Sequence, residues 1–279
     1  MNVLIIGSKG FIGGHAYPFF SAQPGYECWG CDVAVDYTDD RYILVDSSAA
    51  DFNEVFENYA FDVCINCSGA ASVPDSLNNP LRDFSLNTFN VVKMLDAIRK
   101  HRPLCRFINL SSAAVYGNPQ KLPISETDPI LPVSPYGMHK MQAEQICHSF
   151  YNYWRTPTCS LRIFSTFGLG LQKQLFWDLY HKLIAQKTVT LFGTGHETRD
   201  YIYIADILQA MQLVIEKADF IGESINIANG YQCTTKQAAE TFYKHLGWDG
   251  TIKFAGNSRK GDPLNWERGI TELKRLGYQ

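Results

Sequence analysis

Tyr136 and Lys140 lie in the segment Ser-Pro-Tyr-Gly-Met-His-Lys, and the pair has the residue types and spacing for proton transfer. Because Pro135 suits the first turn of a helix, the spacing predicts a helix that carries both side chains on one face. An ammonium group beside a phenol lowers the pKa of the phenol, which would let Tyr136 act as a general acid or base near neutral pH. A surface Tyr and Lys at this spacing are common by chance, so the pair needs support from the rest of the chain.

A glycine-rich turn near the start of the chain has the pattern of a dinucleotide-binding loop. Gly7, Gly10 and Gly13 follow the apolar run Val-Leu-Ile-Ile, and Phe11 and Ile12 open the predicted helix. Such a turn lets the backbone approach a pyrophosphate and directs the amides of the helix N-terminus at it. We therefore predict that these five residues bind a dinucleotide cofactor; a glycine-rich turn without a ligand is the alternative.

Two acidic residues at strand ends are candidates for binding the adenosine half of the same cofactor. Asp32 ends the second predicted strand, 19 residues after Gly13. A carboxylate at this place accepts hydrogen bonds from the ribose and repels a 2′-phosphate, which favours NAD over NADP. Asp46 closes the next apolar run and is a candidate for the adenine amino group, although an ordinary strand-end Asp explains it equally well.

The elements that must position these residues follow from the alternation of short apolar runs with longer amphipathic segments. The predicted strands are 3–7, 28–32, 62–67, 106–112, 159–165 and 224–230, and the predicted helices include 80–100 and 135–154. This alternation is typical of an α/β fold, a doubly wound parallel sheet of the Rossmann type.

The alternation loosens from about residue 166 onward, where glycine-rich turns separate short segments. We predict that residues 1–165 form an NAD-binding domain to which 199–230 return. Residues 166–198 and 231–279 would then form a smaller substrate-binding region.

Composition excludes several other function classes. The chain has 279 residues, 46% of them hydrophobic, and a formal net charge of −3. It contains no basic run or basic stripe with interleaved aromatic residues, so we expect no nucleic-acid partner. No apolar stretch has the length of a signal-peptide core or of a membrane span, so we expect no membrane association and a cytoplasmic location.

The eight cysteines include two C-x-x-C pairs, Cys28 with Cys31 and Cys64 with Cys67. In a strand, residues three apart point to opposite faces, so neither pair can direct two thiolates at one ion. The seven histidines include no helical pair that could hold a metal. We therefore predict core cysteines and free thiols, and no metal site.

Taken together, these motifs make the chain similar to the extended short-chain dehydrogenase/reductase family, and within it to the nucleotide-sugar epimerases and dehydratases typified by UDP-hexose 4-epimerase. The resemblance covers nearly the whole chain and is carried by GSKGFIG, INCSGAASV, LSSAAVYG, SPYGMHK, LRIFSTFG, GTGHETRDYIYIADI, RKGD and LKRLGY. It implies that Tyr136 is the acid/base and that Lys140 both tunes it and holds the nicotinamide ribose. It also implies that Ser112 hydrogen-bonds the reacting sugar oxygen and that Asn87 lies near the cofactor.

The same resemblance implies a nucleotide-diphosphate sugar as the substrate, bound by the second half of the chain. Arg199 and Arg259 match arginines that clamp the diphosphate, for which guanidinium groups are suited; an ordinary ion pair with Asp200 or Asp262 is the alternative for each. Ser165 stands among the substrate-binding positions where many members carry Asn. The C-terminal elements are shorter than in many members, which predicts a more open pocket. The resemblance further implies a homodimer that pairs through the helices 80–100 and 135–154.

Ser111 and Ser112 are followed by Ala113 and Ala114. No His/Asp set accompanies the serines, so neither is predicted to be an acyl-transfer nucleophile, and Ser111 is expected to end the strand beside the nicotinamide. Dehydratases of the family carry Asp-Glu where this chain has the two alanines, which cannot exchange a proton. The sequence thus favours an NAD-dependent epimerase that works through a 4-keto sugar. A 4-keto-sugar reductase, a hexuronate decarboxylase and a non-catalytic NAD-binding module stay open as alternatives.

Overall fold

The computed structural model describes residues 1–46, 50–257, 265–266 and 269–278. Its strands are β1 (Asn2–Ile6), β2 (Glu27–Asp32), β3 (Tyr42–Leu44), β4 (Val63–Asn66), β5 (Arg106–Ser112), β6 (Thr158–Ile163), β7 (Ser165–Phe167), β8 (Thr188–Leu191), β9 (Thr198–Tyr203), β10 (Ile221–Ile227), β11 (Gln232–Thr234) and β12 (Thr251–Phe254). Its helices are α1 (Phe11–Ser21), α2 (Phe52–Asn58), α3 (Val73–Asn78), α4 (Pro80–Phe84), α5 (Asn90–His101), α6 (Pro135–Trp154), α7 (Gln174–Ala185), α8 (Ile204–Lys217), α9 (Thr235–His245) and α10 (Thr271–Arg275).

Seven strands form one parallel sheet in the order β10-β6-β5-β4-β1-β2-β3. Helices cover both of its faces, and the strands are accordingly apolar along most of their length; all four residues of β4, for example, are buried. This architecture confirms the predicted doubly wound fold. The strand order reverses between β1 and β4, and ligands of such sheets bind at the carboxyl ends of the strands beside this reversal.

The core on either side of the sheet places the two cysteines of each C-x-x-C pair in separate layers. Cys28 packs with α1 and α8 on one face, whereas Cys31 and Cys64 pack with α2, α5 and α6 on the other. Cys67 packs against the first of these layers. Burial raises the pKa of the Cys31 and Cys67 thiols to about 12, so these side chains behave as apolar core residues.

The helix predicted over 80–100 is not continuous. It consists of α4, a π-helical segment Ser85–Phe89 and α5. A π-helical turn widens the helix locally and is frequent at functional sites, and this one contains Asn87. The helix predicted over 135–154 agrees with α6, whose N-cap Ser134 accepts a hydrogen bond from the backbone N–H of Gly137 at 3.1 Å.

Two small sheets lie beside the main one. β7, β9 and β11 form a three-stranded sheet, and β8 pairs with β12. α7 and α9 pack over the second pair through Leu179 and Tyr243, whereas α8 and β10 belong to the main sheet and its core. Of the predicted returning segment 199–230, α8 and β10 thus join the main sheet and its core, whereas β9 belongs to the small three-stranded sheet. The division into two regions at the stated boundaries remains a prediction.

Candidate active site

The turn between β1 and α1 is packed so closely that Gly7 and Gly13 have no room for a side chain. Gly7 has a φ of +82°, and a Cβ there would lie 2.6 Å from the backbone N of Ser68. A Cβ on Gly13 would lie 2.1 Å from the carbonyl oxygen of Gly7. These contacts hold the start of α1 against the carboxyl ends of β1 and β4, beside the reversal of strand order.

The N-terminus of α1 can accept an anion. Its N-cap is Gly10, which has no side chain to satisfy the first amides, and the predicted cofactor residues Phe11 and Ile12 form its first turn. Unsatisfied amides at a helix N-terminus attract phosphate groups. The structure thus places all five residues of the predicted cofactor loop at one helix end.

Asp32 ends β2 directly beside this turn. Its Oδ2 accepts a hydrogen bond from the backbone N–H of Lys9 at 2.8 Å, and its Oδ1 accepts one from Val33 at 2.7 Å. These bonds fix the carboxylate at the strand tip, where the ribose of a dinucleotide is expected. Asp46 is exposed two residues after the end of the neighbouring strand β3.

Tyr136, Lys140 and Ser112 come together where β5 ends and α6 begins. The hydroxyl of Ser112 hydrogen-bonds the phenol oxygen of Tyr136. Lys140 lies one helical turn beyond Tyr136, is buried, and donates from Nζ to the carbonyl oxygen of Leu110 at 2.8 Å. The sequence spacing therefore produced the expected arrangement, with a phenol, a hydroxyl and an ammonium group at the carboxyl edge of the sheet.

The pKa of Tyr136 differs from the expectation drawn from the Tyr-Lys spacing. Burial raises it to about 12, and the hydrogen bond from Ser112 offsets only part of this rise. Burial also lowers the pKa of Lys140 to about 8. In the protein alone, burial keeps the pKa of the phenol high, so Tyr136 is protonated at neutral pH.

Asn87 completes the site from the π-helical segment. Its side chain is buried, and neither its Oδ1 nor its Nδ2 has a hydrogen-bond partner among the described residues. A Cβ on Gly69 would lie 2.5 Å from Asn87 Oδ1 and 3.6 Å from Lys140 Nζ, so both side chains converge on this glycine. A buried amide that has no hydrogen-bond partner among the described residues fits a polar cofactor. With the loop at α1, these residues fit a dinucleotide.

Sequence comparison identifies the protein family. Residues 3–228 match the NAD dependent epimerase/dehydratase family. The chain belongs to this family. It is therefore an enzyme of the extended short-chain dehydrogenase/reductase type with NAD as its cofactor, as the motifs predicted.

Individual relatives cover almost the whole chain. A Bacillus subtilis protein described as an uncharacterized UDP-glucose epimerase, YtcB, is 26% identical over 99% of this chain and 92% of its own length. The crystal structure of a UDP-glucuronic acid 4-epimerase from Bacillus cereus, in complex with UDP-glucuronic acid and NAD, is 25% identical with a TM-score of 0.89 over 100% of this chain and 94% of its own. A UDP-glucose 4-epimerase from Thermotoga maritima is 26% identical with a TM-score of 0.88, over 100% of this chain and 93% of its own.

Among the predicted substrate residues, Arg199 lies in β9 and Ser165 begins the adjacent strand β7. The guanidinium of Arg199 stacks 5.2 Å from the ring of Trp266, whose Nε1 donates to the carbonyl oxygen of Gly117 at 3.2 Å. Since Gly117 directly follows the turn after Ser112, Trp266 connects Arg199 to the active-site loop. Arg259 lies outside the described residues.

The neighbouring Asp200 has a different role from the ion pair considered for Arg199. Its carboxylate is buried and accepts hydrogen bonds from the backbone N–H groups of Asn229 and Gly230, both at 2.8 Å. It thus fixes the turn that follows β10.

A buried charge network beneath the site was missed at the sequence level. Glu144, one turn beyond Lys140 on α6, accepts hydrogen bonds from Arg162 Nη2 at 2.7 Å and from Arg162 Nε at 3.0 Å. It also accepts a 2.5 Å hydrogen bond from Ser111, so this serine braces β5 against α6. Arg162 in turn donates to the Tyr116 hydroxyl at 2.6 Å. Two features of the sequence could have indicated this network: the arginine within the apolar strand segment LRIFS, and the glutamate four residues after Lys140 on the same helix.

The two alanines after Ser112 are buried in a short 3-10 helix. Ala113 is fully buried and packs with Val115 and Phe164, and Ala114 is nearly so. A Cβ on Gly137 would lie 2.5 Å from the carbonyl oxygen of Ala114, so the glycine after Tyr136 lets α6 approach this segment.

Proposed function

We propose that this protein is an NAD-dependent UDP-sugar 4-epimerase that works through a transient 4-keto sugar. The observation that carries the proposal is the convergence of Ser112, Tyr136 and Lys140 at the sheet edge. Beside them lies the amide of Asn87, which has no hydrogen-bond partner in the described part of the chain. The relatives named as UDP-glucose and UDP-glucuronic acid 4-epimerases support the substrate class.

In the proposed reaction the C4 hydroxyl of the sugar loses its proton to the phenolate form of Tyr136 while its C4–H bond breaks. NAD, held by the loop at α1 and near Asn87, would supply reversible hydride transfer at C4, so no net oxidant would be consumed. Ser112 donates a hydrogen bond to the C4 oxygen, and Tyr136 gives the proton back when the hydride returns. The charge of Lys140 favours the phenolate form of Tyr136, which opposes the effect of burial.

The alternatives differ in what the residues after Ser112 must do. A 4,6-dehydratase needs further proton-transfer groups, and the positions that hold them in dehydratases are Ala113 and Ala114 here. A 4-keto-sugar reductase would use the same three residues but consume reduced cofactor, and a hexuronate decarboxylase would release CO2. A binding module without turnover would have no need of Tyr136 and Lys140.

Substrate binding is proposed to involve Arg199, Ser165 and Arg259. The support for Arg199 is its position over Trp266, which is itself hydrogen-bonded to the active-site loop. A guanidinium group suits a diphosphate because it donates two parallel hydrogen bonds.

The deciding experiment incubates the purified protein with UDP-, GDP-, dTDP- and CDP-sugars, without added reductant, and separates the epimers by chromatography with NMR identification. We expect interconversion of a UDP-sugar and its 4-epimer, and a loss of at least about a hundredfold in kcat for Tyr136→Phe with little change in KM. Tyr153→Phe, at an exposed position near the end of the same helix, is the matched control.

Other outcomes identify the alternatives. NADPH oxidation on a 4-keto sugar without any epimer would establish the reductase, and CO2 release from UDP-glucuronic acid would establish the decarboxylase. NAD binding with no turnover on any sugar, unchanged in Tyr136→Phe, would point to the binding module.

We also propose a homodimer that pairs through the helices α4, α5 and α6. Leu81 and Phe89 are exposed apolar side chains on the first of these helices and the π-helical segment, and Met138 is exposed on α6. Light scattering should give the mass of two chains. The double variant Leu81→Asp with Phe89→Asp should give the mass of one chain. Leu104→Asp, at an exposed apolar residue beyond the end of α5, should leave the mass unchanged.

A cytoplasmic location remains a prediction; among the described helices, none is long and apolar enough to cross a membrane.

A further inference from the structure

A second pair of polar side chains lies behind the proposed active site. Asp83, in α4, is 0% exposed, and its Oδ2 accepts a 2.6 Å hydrogen bond from Nδ1 of His139 in α6. The other oxygen, Oδ1, has no hydrogen-bond partner among the described residues. A buried carboxylate with a single hydrogen bond is unfavourable unless a cation lies nearby.

The helical geometry directs Asp83 toward the catalytic segment of α6. Asp83 precedes Asn87 by four residues, which places it one turn below the amide that converges with Lys140 on Gly69. His139 is the residue immediately before Lys140, and its carbonyl oxygen accepts a 2.9 Å hydrogen bond from the Thr88 hydroxyl. Two contacts therefore join the α4 and π-helical segment to α6 at the position of the lysine.

Most of the titratable side chains around Lys140 are acidic groups or uncharged thiols and phenols. The titratable groups that face it or Asp83 are His139, Tyr136, Glu144 and Cys147 on α6 and Cys67 after β4. Arg82, next to Asp83, instead pairs with Asp75 of α3 on the exposed side at 2.8 Å. Glu144 is engaged by Arg162, and among the carboxylates of the described residues Asp83 favours the buried ammonium group most strongly.

We propose that Asp83, anchored by His139, is a positioning residue that holds Lys140 in its charged form beside Tyr136. Burial by itself drives Lys140 toward the neutral amine, and the carboxylate of Asp83 acts against this by favouring the ammonium form. His139 fixes the carboxylate so that its charge stays directed at the lysine. Since a neutral lysine cannot favour a phenolate, this effect of Asp83 reaches the acid/base through Lys140. The direct effect of the Asp83 charge on Tyr136 is the opposite, because it raises the pKa of the phenol.

The test is an NMR titration of Lys140 in the protein as purified, with 13C at the lysine ε-carbon. The Lys140 signal is identified by its absence in Lys140→Met, and it should titrate well below the signals of the exposed lysines. In Asp83→Asn its midpoint should fall by about half a unit or more, so that at the original midpoint the charged fraction drops from one half to about a quarter. Asp75→Asn, the same change at a half-buried carboxylate of the neighbouring helix that pairs with Arg82, should leave the midpoint in place.

A second variant covers the case in which Asp83→Asn fails to fold. Asp83→Leu combined with His139→Phe replaces both partners by apolar groups of similar size, which proteins tolerate better than an unpaired buried polar group. It should show the same fall of the Lys140 midpoint. A midpoint that stays within about 0.2 units of that of the unchanged protein in either folded variant overturns the proposal, since a neighbouring charge shifts a buried group by more.

Only the consequence for turnover rests on the proposed function. If the protein is an epimerase, the alkaline limb of the pH profile of kcat should move to lower pH in Asp83→Asn and keep its place in Asp75→Asn. A role in packing alone would lower kcat at every pH without moving the limb. Absence of epimerase activity with a shifted Lys140 midpoint would reject the proposed reaction and leave the role of Asp83 standing.

Discussion

Replacement of Lys140 by Met should abolish activity and at the same time stabilise the fold. The ammonium group is buried, and burial lowers its pKa from 10.5 to about 8, whereas in the unfolded chain the lysine is exposed to water. At pH 7 folding must therefore bury a charge that would be more stable in solvent. Methionine keeps most of the apolar stem and removes the charge.

The magnitude follows from the difference in pKa. The fall of the pKa from 10.5 to about 8 corresponds to roughly 3 kcal/mol at pH 7. Loss of the hydrogen bond to the Leu110 carbonyl offsets about 1 kcal/mol of this gain. We expect Lys140→Met to raise the free energy of unfolding by about 2 kcal/mol at pH 7.

The pH dependence gives this prediction a distinct signature. Because the folded pKa is the lower one, the unfolded chain binds more protons between about pH 8 and pH 10.5, and the unchanged protein gains stability as the pH rises through this window. The advantage of the variant should thus shrink by about 2 kcal/mol between pH 7 and pH 9.5. Comparison of the two proteins at each pH cancels the titration of the other groups.

Urea unfolding followed by circular dichroism at both pH values measures these quantities. Lys236→Met, at an exposed lysine of α9, should change the free energy of unfolding by less than about 0.5 kcal/mol at either pH. A Lys140→Met variant that is less stable than the unchanged protein at pH 7, or an advantage that does not depend on pH, would refute the reasoning.

Three further predictions concern the cofactor loop, the buried pair and the substrate. Gly13→Ala should weaken NAD binding by at least about tenfold in calorimetry, because its Cβ would lie 2.1 Å from the Gly7 carbonyl oxygen and push the turn away from α1. Glu144→Gln should lower the free energy of unfolding by about 3 kcal/mol in urea, since it leaves Arg162 buried without its counter-ion; Glu240→Gln on the surface should have little effect. Arg199→Met should raise the KM for a UDP-sugar about tenfold or more with kcat nearly unchanged, and an unchanged KM would remove Arg199 from the substrate site.

The parts of the site that could be predicted from the sequence are those encoded by local spacing. Gly7, Gly10 and Gly13 specify one turn between a strand and a helix, and Tyr136 and Lys140 specify one helical face. The six predicted strands correspond to strands of the main sheet because parallel strands buried on both faces are continuous apolar runs. Their lateral order follows from the doubly wound topology.

The parts that could not be predicted depend on contacts between segments distant in the chain. Asp83 and His139 are 56 residues apart and meet only because α4 packs on α6. The raised pKa of Tyr136 depends on how deeply the phenol is buried, which the Tyr-Lys spacing does not specify. The π-helical segment at Asn87 is a local departure that an apolar pattern of period 3.6 does not distinguish from a regular helix.

The packing around Ala113 and Ala114 also disfavours the Asp-Glu pair that dehydratases carry at these two positions. Ala113 is fully buried among apolar side chains, so a carboxylate placed there would lose its hydration without a described cation to replace it. The segment is further confined by α6, because the carbonyl oxygen of Ala114 lies so close to Gly137 that no Cβ fits between them. Substitution of Asp and Glu for the two alanines should therefore destabilise the turn after Ser112 rather than create a dehydratase. The proposed preference for epimerisation over dehydration thus depends on packing around the turn as well as on which residues occupy it.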